Sequence, residues 1–163
     1  MELWDLYTAD RLPTGKTHIR GEKLPDGLYH LVVHVWITDG NGNYLLSRRS
    51  ASRPTFPLMW ETVGGSVITG EDSLAGALRE VKEEIGIDLP PENGRHLFSE
   101  FRPQYGNFKD VWLFRYDGEA DLAAATTDEV CETAWKTKEE IRSLFDEGDL
   151  VPTLGYFFCR KEF

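Results

Sequence analysis

One segment of the chain, GSVITGEDSLAGALREVKEEIGI at residues 65–87, constrains the fold more than any other. A helix turns by about 100° per residue, so Glu80, Glu83 and Glu84 at i, i+3 and i+4 share one face. The apolar residues of the segment fall on a different face, which would pack the helix against a core. They are Leu74, Leu78, Val81 and Ile85. The sequence therefore predicts an amphipathic helix that holds three carboxylates in a fixed direction, away from its apolar stripe.

Three carboxylates on one helix face repel one another, and each close pair of like charges costs a few tenths of a kcal/mol. A bound cation would remove that cost. Oxygen ligands without a His or Cys at similar spacing favour Mg²⁺ or Mn²⁺ over Zn²⁺. A solvated acidic face paired with Arg79 and Lys82 is the alternative interpretation. The glycine turn at residues 63–67 argues against it, because glycine lets the backbone approach a metal ion or a phosphate closely.

The spacing within this segment resembles the signature of the Nudix hydrolase family. That signature has a glycine, a glutamate six positions later, an Arg-Glu pair, a Glu-Glu pair, and a glycine followed by an aliphatic residue. Every position is filled here, by Gly65, Glu71, Arg79, Glu80, Val81, Glu83, Glu84, Gly86 and Ile87. At a frequency of about 7% per residue type, the seven fixed positions match by chance about once in 10⁸ start points. The resemblance is therefore specific.

The resemblance implies hydrolysis of a nucleoside diphosphate linked to another moiety, by attack of a metal-activated water at phosphorus. It also implies a set of ligands for Mg²⁺ or Mn²⁺. These are Glu80, Glu83, Glu84 and the backbone carbonyl of Gly65. By the same resemblance Arg79 orients a glutamate through a bidentate contact, and Glu71 supports the ligands. The carboxylate that accepts the proton from water differs within the family, and the sequence does not decide it.

A further acid from outside the signature is expected to complete the site, and two candidates are open. Glu129 precedes a predicted strand and is the preferred candidate, whereas Asp110 begins another predicted strand. A solvated carboxylate is the alternative interpretation of each. Arg48, Arg49 and Glu61 are candidate substrate-binding residues, because they lie on segments that lead to the glycine turn. Solvated arginines are the alternative for the first two.

The rest of the chain alternates between short apolar runs and turn signals, which predicts many strands and few helices. Leu3 to Arg20 reads as an N-terminal hairpin, and the capping box at residues 137–140 begins a second helix that ends near Asp146. A short terminal helix is expected within residues 150–163. The strands are predicted at 28–38, 44–49, 59–63, 96–101, 110–116 and 131–136.

This order of elements predicts an α/β (α+β) fold with a central mixed sheet. It agrees with the α/β/α sandwich that the Nudix resemblance implies, here with an N-terminal β-hairpin extension. We expect residues 1–163 to form a single domain. Residues 1–27 would be the extension and residues 28–163 the core.

The net charge of −10 argues against non-specific binding to DNA or RNA, but it does not argue against a small phosphorylated substrate. No apolar run is long enough to span a membrane, and the first residues do not resemble a signal peptide. Two cysteines are too few for a disulfide framework. These features predict a cytoplasmic protein without a DNA or membrane partner. The N-terminal hairpin could pair two chains into a homodimer.

The sequence leaves two alternative functions open. Residues 3–49 are similar to the isopentenyl-diphosphate isomerase branch of the superfamily, which uses a catalytic cysteine and a His-rich metal site. Here Gly64 stands at the cysteine position and Ser66 at a histidine position, and only His30 is retained. His30 and His34 share a strand face about 13 Å apart, too far to chelate one ion. A non-catalytic nucleotide-binding domain is the second alternative, but such domains tend to lose glutamates of the signature, and this chain retains all of them.

Overall fold

The computed structural model describes the whole chain, Met1–Phe163. Its strands are β1 (Leu3–Tyr7), β2 (Pro13–Ile19), β3 (His30–Thr38), β4 (Asn43–Arg49), β5 (Trp60–Glu61), β6 (Val63–Ser66), β7 (Gly94–Arg102), β8 (Asn107–Arg115) and β9 (Val130–Thr137). Its α-helices are α1 (Ser73–Ile85) and α2 (Lys138–Asp146), and a 3₁₀ segment (Pro152–Phe158) lies near the C-terminus. Neither α-helix has the length and apolar composition that crossing a membrane requires.

The larger sheet has the strand order β5-β4-β3-β8-β7, with β6 paired to β3 and β9 paired to β4. Strands β3 and β8 run parallel, and the other pairs in this sheet are antiparallel. The predicted mixed sheet is therefore confirmed. Strands β1 and β2 form a separate antiparallel hairpin, as the N-terminal sequence predicts.

Apolar side chains cover both faces of the sheet, because alternate residues of a strand point to opposite sides. Val33 and Val35 of β3 belong to a buried cluster that includes Val81 and Ile85 of α1. Trp36 of β3 belongs to a second buried cluster, which includes side chains from α2 and the 3₁₀ segment. The sheet thus lies between α1 on one face and α2 with the 3₁₀ segment on the other, which confirms the layered fold.

Helix α1 begins and ends at residues suited to those positions. The side chain of Asp72 accepts a hydrogen bond from Ala75 N at 2.8 Å, and Gly86 ends the helix with a left-handed φ of 71°. The expectation that all three acids point away from the core is wrong for Glu84, whose exposed fraction is 5%. Burial extends from Val81 around the helix to Glu84, on which the charges of Glu61 and Glu129 act.

The predicted strand at residues 59–63 is two strands in the structure. In β5, Glu61 pairs with Ser47 of β4, whereas in β6, Gly65 pairs with Val33 of β3. Between them lies Thr62, whose hydroxyl donates to the carbonyl oxygen of Val35. The chain thus changes its pairing partner within a few residues, a change that side-chain alternation alone does not reveal.

Candidate active site

The glycine turn lies directly against the acidic helix. A Cβ atom at Gly65 would overlap the carboxylate of Glu80, and one at Gly64 would lie 2.7 Å from the carbonyl oxygen of Val33. At Gly64 a side chain would push the neighbouring strand away, whereas at Gly65 it would displace the flexible carboxylate of Glu80. The turn therefore brings backbone oxygen atoms and the Glu80 carboxylate into one small region.

Arg79 holds the acidic residues of this region in place. Its Nε and Nη2 atoms donate to the two oxygens of Glu71 at 2.8 and 3.1 Å, so this is the bidentate contact. Its Nη1 atom donates to Glu80 at 2.9 Å and to Glu83 at 3.1 Å, and Nη2 also donates to the Ser66 carbonyl at 2.9 Å. One positive charge is thereby shared among three carboxylates and the glycine turn.

Glu84 has no salt-bridge partner comparable to Arg79. It is buried, and no salt bridge or side-chain hydrogen bond reaches its carboxylate. Burial raises the pKa of Glu84 well above the usual range, and the nearby charges of Glu80, Glu61 and Glu129 raise it further. Burial also raises the pKa of Glu80, with Arg79 acting in the opposite direction. The region therefore carries more negative charge than its own side chains neutralise.

The side chains do not converge on a metal position in this structure. No group of three or more His, Cys, Asp or Glu side chains lies close enough to hold a metal ion. The reason lies in Arg79, which draws Glu80 and Glu83 toward itself. The donors nevertheless suit Mg²⁺ or Mn²⁺ in kind, because they are carboxylates, and the buried Glu84 lacks a paired cation. Metal binding would require Glu80 and Glu83 to rotate away from the guanidinium.

The two candidate acids outside the signature lie in different surroundings. Glu129 pairs with Arg53 at 2.9 Å, and its charge acts on the pKa of both Glu80 and Glu84. Asp110 instead accepts two hydrogen bonds from Arg11, at 2.7 and 2.6 Å, and is not among the charges that act on those two glutamates. The structure thus brings Glu129 to the signature acids and leaves Asp110 in a separate ion pair.

The three candidate substrate-binding residues lie at different distances from the cleft, and only one of them lines it. Arg49 Nη1 lies 2.6 Å from Glu61 Oε1, and Glu61 lines a cleft at the glycine turn. Arg48 instead pairs with Glu132 at 3.3 Å and lies over the ring of Trp60. Arg48 does not line the cleft, and Arg49 reaches it only through Glu61.

The cleft has a volume of about 220 Å³ and extends from Glu61 along the glycine turn to His34 and Arg102. A second cavity of about 320 Å³ shares Arg102 and Thr153 with it. Sequence reasoning missed Arg102, because no motif surrounds it and it reaches the cleft only through the pairing of β7 with β8. The sequence favours His34 as a core or edge histidine over a metal ligand, and its position on the face of β3 opposite α1 is the signal that could have indicated a place in the cleft.

A mixed sheet between helices, with a glycine turn against an acidic helix, defines a Nudix-type domain. The sequence matches the family model of the NUDIX domain over residues 28–157. It is 40% identical over 164 residues to an uncharacterised Nudix hydrolase of Listeria innocua, with 100% of this chain and 94% of that protein aligned. The chain therefore belongs to the Nudix hydrolase family and is a Nudix pyrophosphohydrolase, as its signature predicts.

Solved structures show the same fold. A crystal structure of a protein from Deinococcus radiodurans matches with a TM-score of 0.73 and 24% identity, covering 92% of each chain. A bifunctional NMN adenylyltransferase/ADP-ribose pyrophosphatase from Francisella tularensis matches with a TM-score of 0.56 and 18% identity. That match covers 76% of this chain and 38% of the Francisella chain. The α/β/α layering predicted from the sequence is thus the layering of known Nudix structures.

Proposed function

We propose that the protein catalyses Mg²⁺- or Mn²⁺-dependent hydrolysis of a nucleoside diphosphate linked to another moiety. The observation that carries this proposal is the buried carboxylate of Glu84, which forms no salt bridge and lies among Glu80, Glu61 and Glu129. The charge of Arg53, which is already paired with Glu129, opposes the effect of these acids only weakly. A buried carboxylate that is surrounded by other carboxylates destabilises the folded state, and removing its charge would lower the free energy of that state. Such a residue therefore indicates a functional role. A divalent cation would supply the missing positive charge.

Four groups would hold the metal: the carboxylates of Glu80, Glu83 and Glu84, and the backbone carbonyl of Gly65. When bound, the metal would polarise phosphoryl oxygens, stabilise the charge that develops on them and activate water. Glu71 keeps Arg79 in position through its bidentate contact, even when Glu80 and Glu83 turn toward the metal.

The proton of the attacking water needs a carboxylate acceptor. Glu83 and Glu84 are candidates on the helix, and Glu129 is a candidate from the opposite side of the cluster. The contact between Glu129 and Arg53 fixes the direction of this carboxylate, which supports the assignment of a positioned acid there. Asp110 is a weaker candidate, since both its oxygens are held by Arg11.

Further support comes from the related fold. The Francisella structure was solved with AMP and a manganese ion, ligands of the kinds proposed here. The net charge of −10 does not support DNA as a partner, and it leaves room for a small phosphorylated substrate that a metal ion and a few arginines would hold. A cytoplasmic location and association into a homodimer stay predictions from the sequence.

A panel of nucleoside diphosphate derivatives, incubated with Mg²⁺ or Mn²⁺ and assayed for released phosphate or nucleotide, tests the proposal. We expect turnover of at least one compound, and loss of that turnover with EDTA or in Glu84→Gln. Tight nucleotide binding without turnover would instead indicate a regulatory domain. Conversion of isopentenyl diphosphate to its isomer would indicate the isomerase activity.

A further inference from the structure

The cleft carries an unmatched positive charge at Arg102. Arg102 donates from Nε to the side-chain oxygen of Asn107 at 2.9 Å and lies over the ring of Tyr105, but no carboxylate pairs with it. The neighbouring buried Lys109 is matched, because its Nζ lies 2.6 Å from Glu100. Arg102 lines both cavities, so its free charge faces the space that a ligand would enter.

A neutral N–H donor faces the same cleft. Trp36 donates to the hydroxyl oxygen of Tyr156 at 2.9 Å, and that oxygen lies 2.9 Å from Nδ1 of His34. The Tyr156 proton has no other acceptor in the structure, so it is donated to Nδ1, which must then be unprotonated. Burial lowers the pKa of His34 to about 3, so the ring is neutral at pH 7. A neutral ring with a bare Nδ1 carries its proton on Nε2, and no side chain or backbone group accepts a hydrogen bond from that atom.

Arg102 and this N–H group of His34 therefore present donors without acceptors in the cleft. A phosphate group matches them, because its oxygens accept hydrogen bonds and carry negative charge. We propose that Arg102 and the Nε2–H of His34 form a phosphate subsite, which receives the substrate phosphate that is not held at the acidic helix. This inference rests on the proposed function in one respect, that the substrate contains a diphosphate. Gly65, the proposed backbone ligand of the metal, lines the same cleft as Arg102 and His34.

Binding of imidodiphosphate, a diphosphate that resists hydrolysis, tests the subsite without turnover. Calorimetry in the presence of Mg²⁺ would compare the wild type with Arg102→Gln, in which glutamine can still donate to Asn107. We expect at least about a tenfold weaker binding, since a charge-assisted hydrogen bond is lost. Arg160→Gln is the matched control, because Arg160 also lies over an aromatic ring, that of Phe98, and lines neither cleft cavity. Its affinity should stay within about twofold of the wild type.

The protonation of the His34 ring can be tested separately from the role of Arg102. Long-range ¹H–¹⁵N NMR of the wild type should show the Nε2-protonated tautomer for His34, and Tyr156→Phe should change that pattern and weaken imidodiphosphate binding. A proton on Nδ1 in the wild type would overturn the role of His34. Unchanged affinity in Arg102→Gln, or no binding by the wild type, would overturn the subsite as a whole.

The two proposals can fail separately. If imidodiphosphate binds through Arg102 but no nucleoside diphosphate derivative is hydrolysed, the subsite stands and the proposed function fails. If hydrolysis proceeds and Arg102→Gln leaves both KM and imidodiphosphate affinity unchanged, the proposed function stands and the subsite fails.

Discussion

Glu84 and Asp110 are both buried carboxylates, with exposed fractions of 5% and 2%, but their hydrogen-bond partners and neighbouring charges are opposite in kind. Asp110 accepts two hydrogen bonds from Arg11 and one from Ser99 at 2.6 Å. Burial alone would raise the pKa of Asp110, but these hydrogen bonds and the Arg11 charge lower it below the usual range. Glu84 has no cation paired with it, and its pKa is raised by burial and by neighbouring acids, against a weaker effect of the Arg53 charge.

The difference indicates what each carboxylate is for. A buried charge that is paired and hydrogen-bonded contributes to the stability of the folded state above its pKa. A buried charge among like charges lowers that stability, and such a residue persists where function needs it. Both acids were candidates for the active site from sequence alone. Under the proposed function, Asp110 supports the fold through its pair with Arg11, and Glu84 binds the metal.

The largest expected effect is the loss of turnover when Glu84 is replaced, which tests the functional half of the comparison between Glu84 and Asp110. Glu84→Gln should lower turnover by a hundredfold or more, since a metal supplies several kcal/mol of stabilisation and about 1.4 kcal/mol is a factor of ten. The same change should raise the free energy of unfolding of the metal-free protein by on the order of 1 kcal/mol, because an uncompensated buried charge is removed. Steady-state assays with Mg²⁺ and thermal unfolding in EDTA measure the two effects.

Added Mn²⁺ should raise the melting temperature of the wild type more than that of Glu84→Gln, because a ligand that binds only the folded state stabilises it. Full activity in the variant with unchanged metal dependence would show that Glu84 is not a ligand. A loss of stability in EDTA would show that its burial is already compensated.

Asp110→Asn should have the second-largest effect, and on stability instead of turnover. The change removes the charge that pairs with Arg11 and should cost about 2–3 kcal/mol in free energy of unfolding, as expected for charged hydrogen bonds in a buried position. Urea unfolding measures it. Arg11→Gln is the matched variant, and the double variant should show less than the sum of the two losses. If turnover per folded molecule falls a hundredfold in Asp110→Asn, Asp110 belongs to the catalytic machinery after all.

The sequence was most informative where spacing alone determines geometry. The signature placed Glu80, Glu83 and Arg79 on one helix, and their contacts in the structure follow from that helix. The capping box at Thr137 and Glu140 is likewise confirmed, because it depends on residues three apart.

The features of the site that the sequence did not predict depend on packing between residues far apart in the chain, which local sequence patterns do not encode. Glu84 is buried near Glu61 and Glu129, which are distant in sequence, whereas helical periodicity placed this acid on the exposed side. The pairing of Asp110 with Arg11 joins residues 99 positions apart. Arg102 enters the cleft through the position of β7 in the sheet, so no neighbouring residue marks it.

The pH dependence of stability gives a finer test, because the two carboxylates should respond in opposite directions. For Glu84, the folded-state pKa lies above its ordinary value of 4.5, so the wild type loses stability relative to Glu84→Gln as the pH rises through the folded-state pKa. Below about pH 4.5 the two proteins should converge, since Glu84 is then protonated in both the folded and unfolded states. Chemical unfolding in EDTA across this pH range measures the difference.

For Asp110 the folded-state pKa lies below its ordinary value of 3.8. The stability that this carboxylate contributes is therefore present above about pH 3.8 and is lost as the pH falls through the folded-state pKa. The gap between the wild type and Asp110→Asn should narrow only in that acidic range. A gap that narrows toward neutral pH instead would mean that Arg11 does not stabilise the charged form.

The smallest expected effect tests whether the close approach of Gly65 to the Glu80 carboxylate is needed for metal binding, in addition to the charges of the acidic residues. A Cβ at Gly65 would overlap the Glu80 carboxylate, which is the end of a flexible side chain and can rotate aside. Gly65→Ala should therefore change the free energy of unfolding by less than about 1 kcal/mol, since alanine also suits a strand better than glycine. Displacing Glu80 should still weaken Mn²⁺ binding by about tenfold, the scale on which misplaced ligands act.

Gly155→Ala is the control for Gly65→Ala, because an added Cβ there would meet the ring of Phe145 at an ordinary 3.7 Å. Calorimetric titration with Mn²⁺ compares the two variants with the wild type, and only Gly65→Ala should bind more weakly. Equal affinity in all three proteins would mean that Glu80 reaches the metal from a position that Gly65 does not constrain. Neither Asp110 nor Arg11 lies near an added Cβ at Gly65 or Gly155, so neither alanine substitution should change the acid dependence of the stability that this pair contributes.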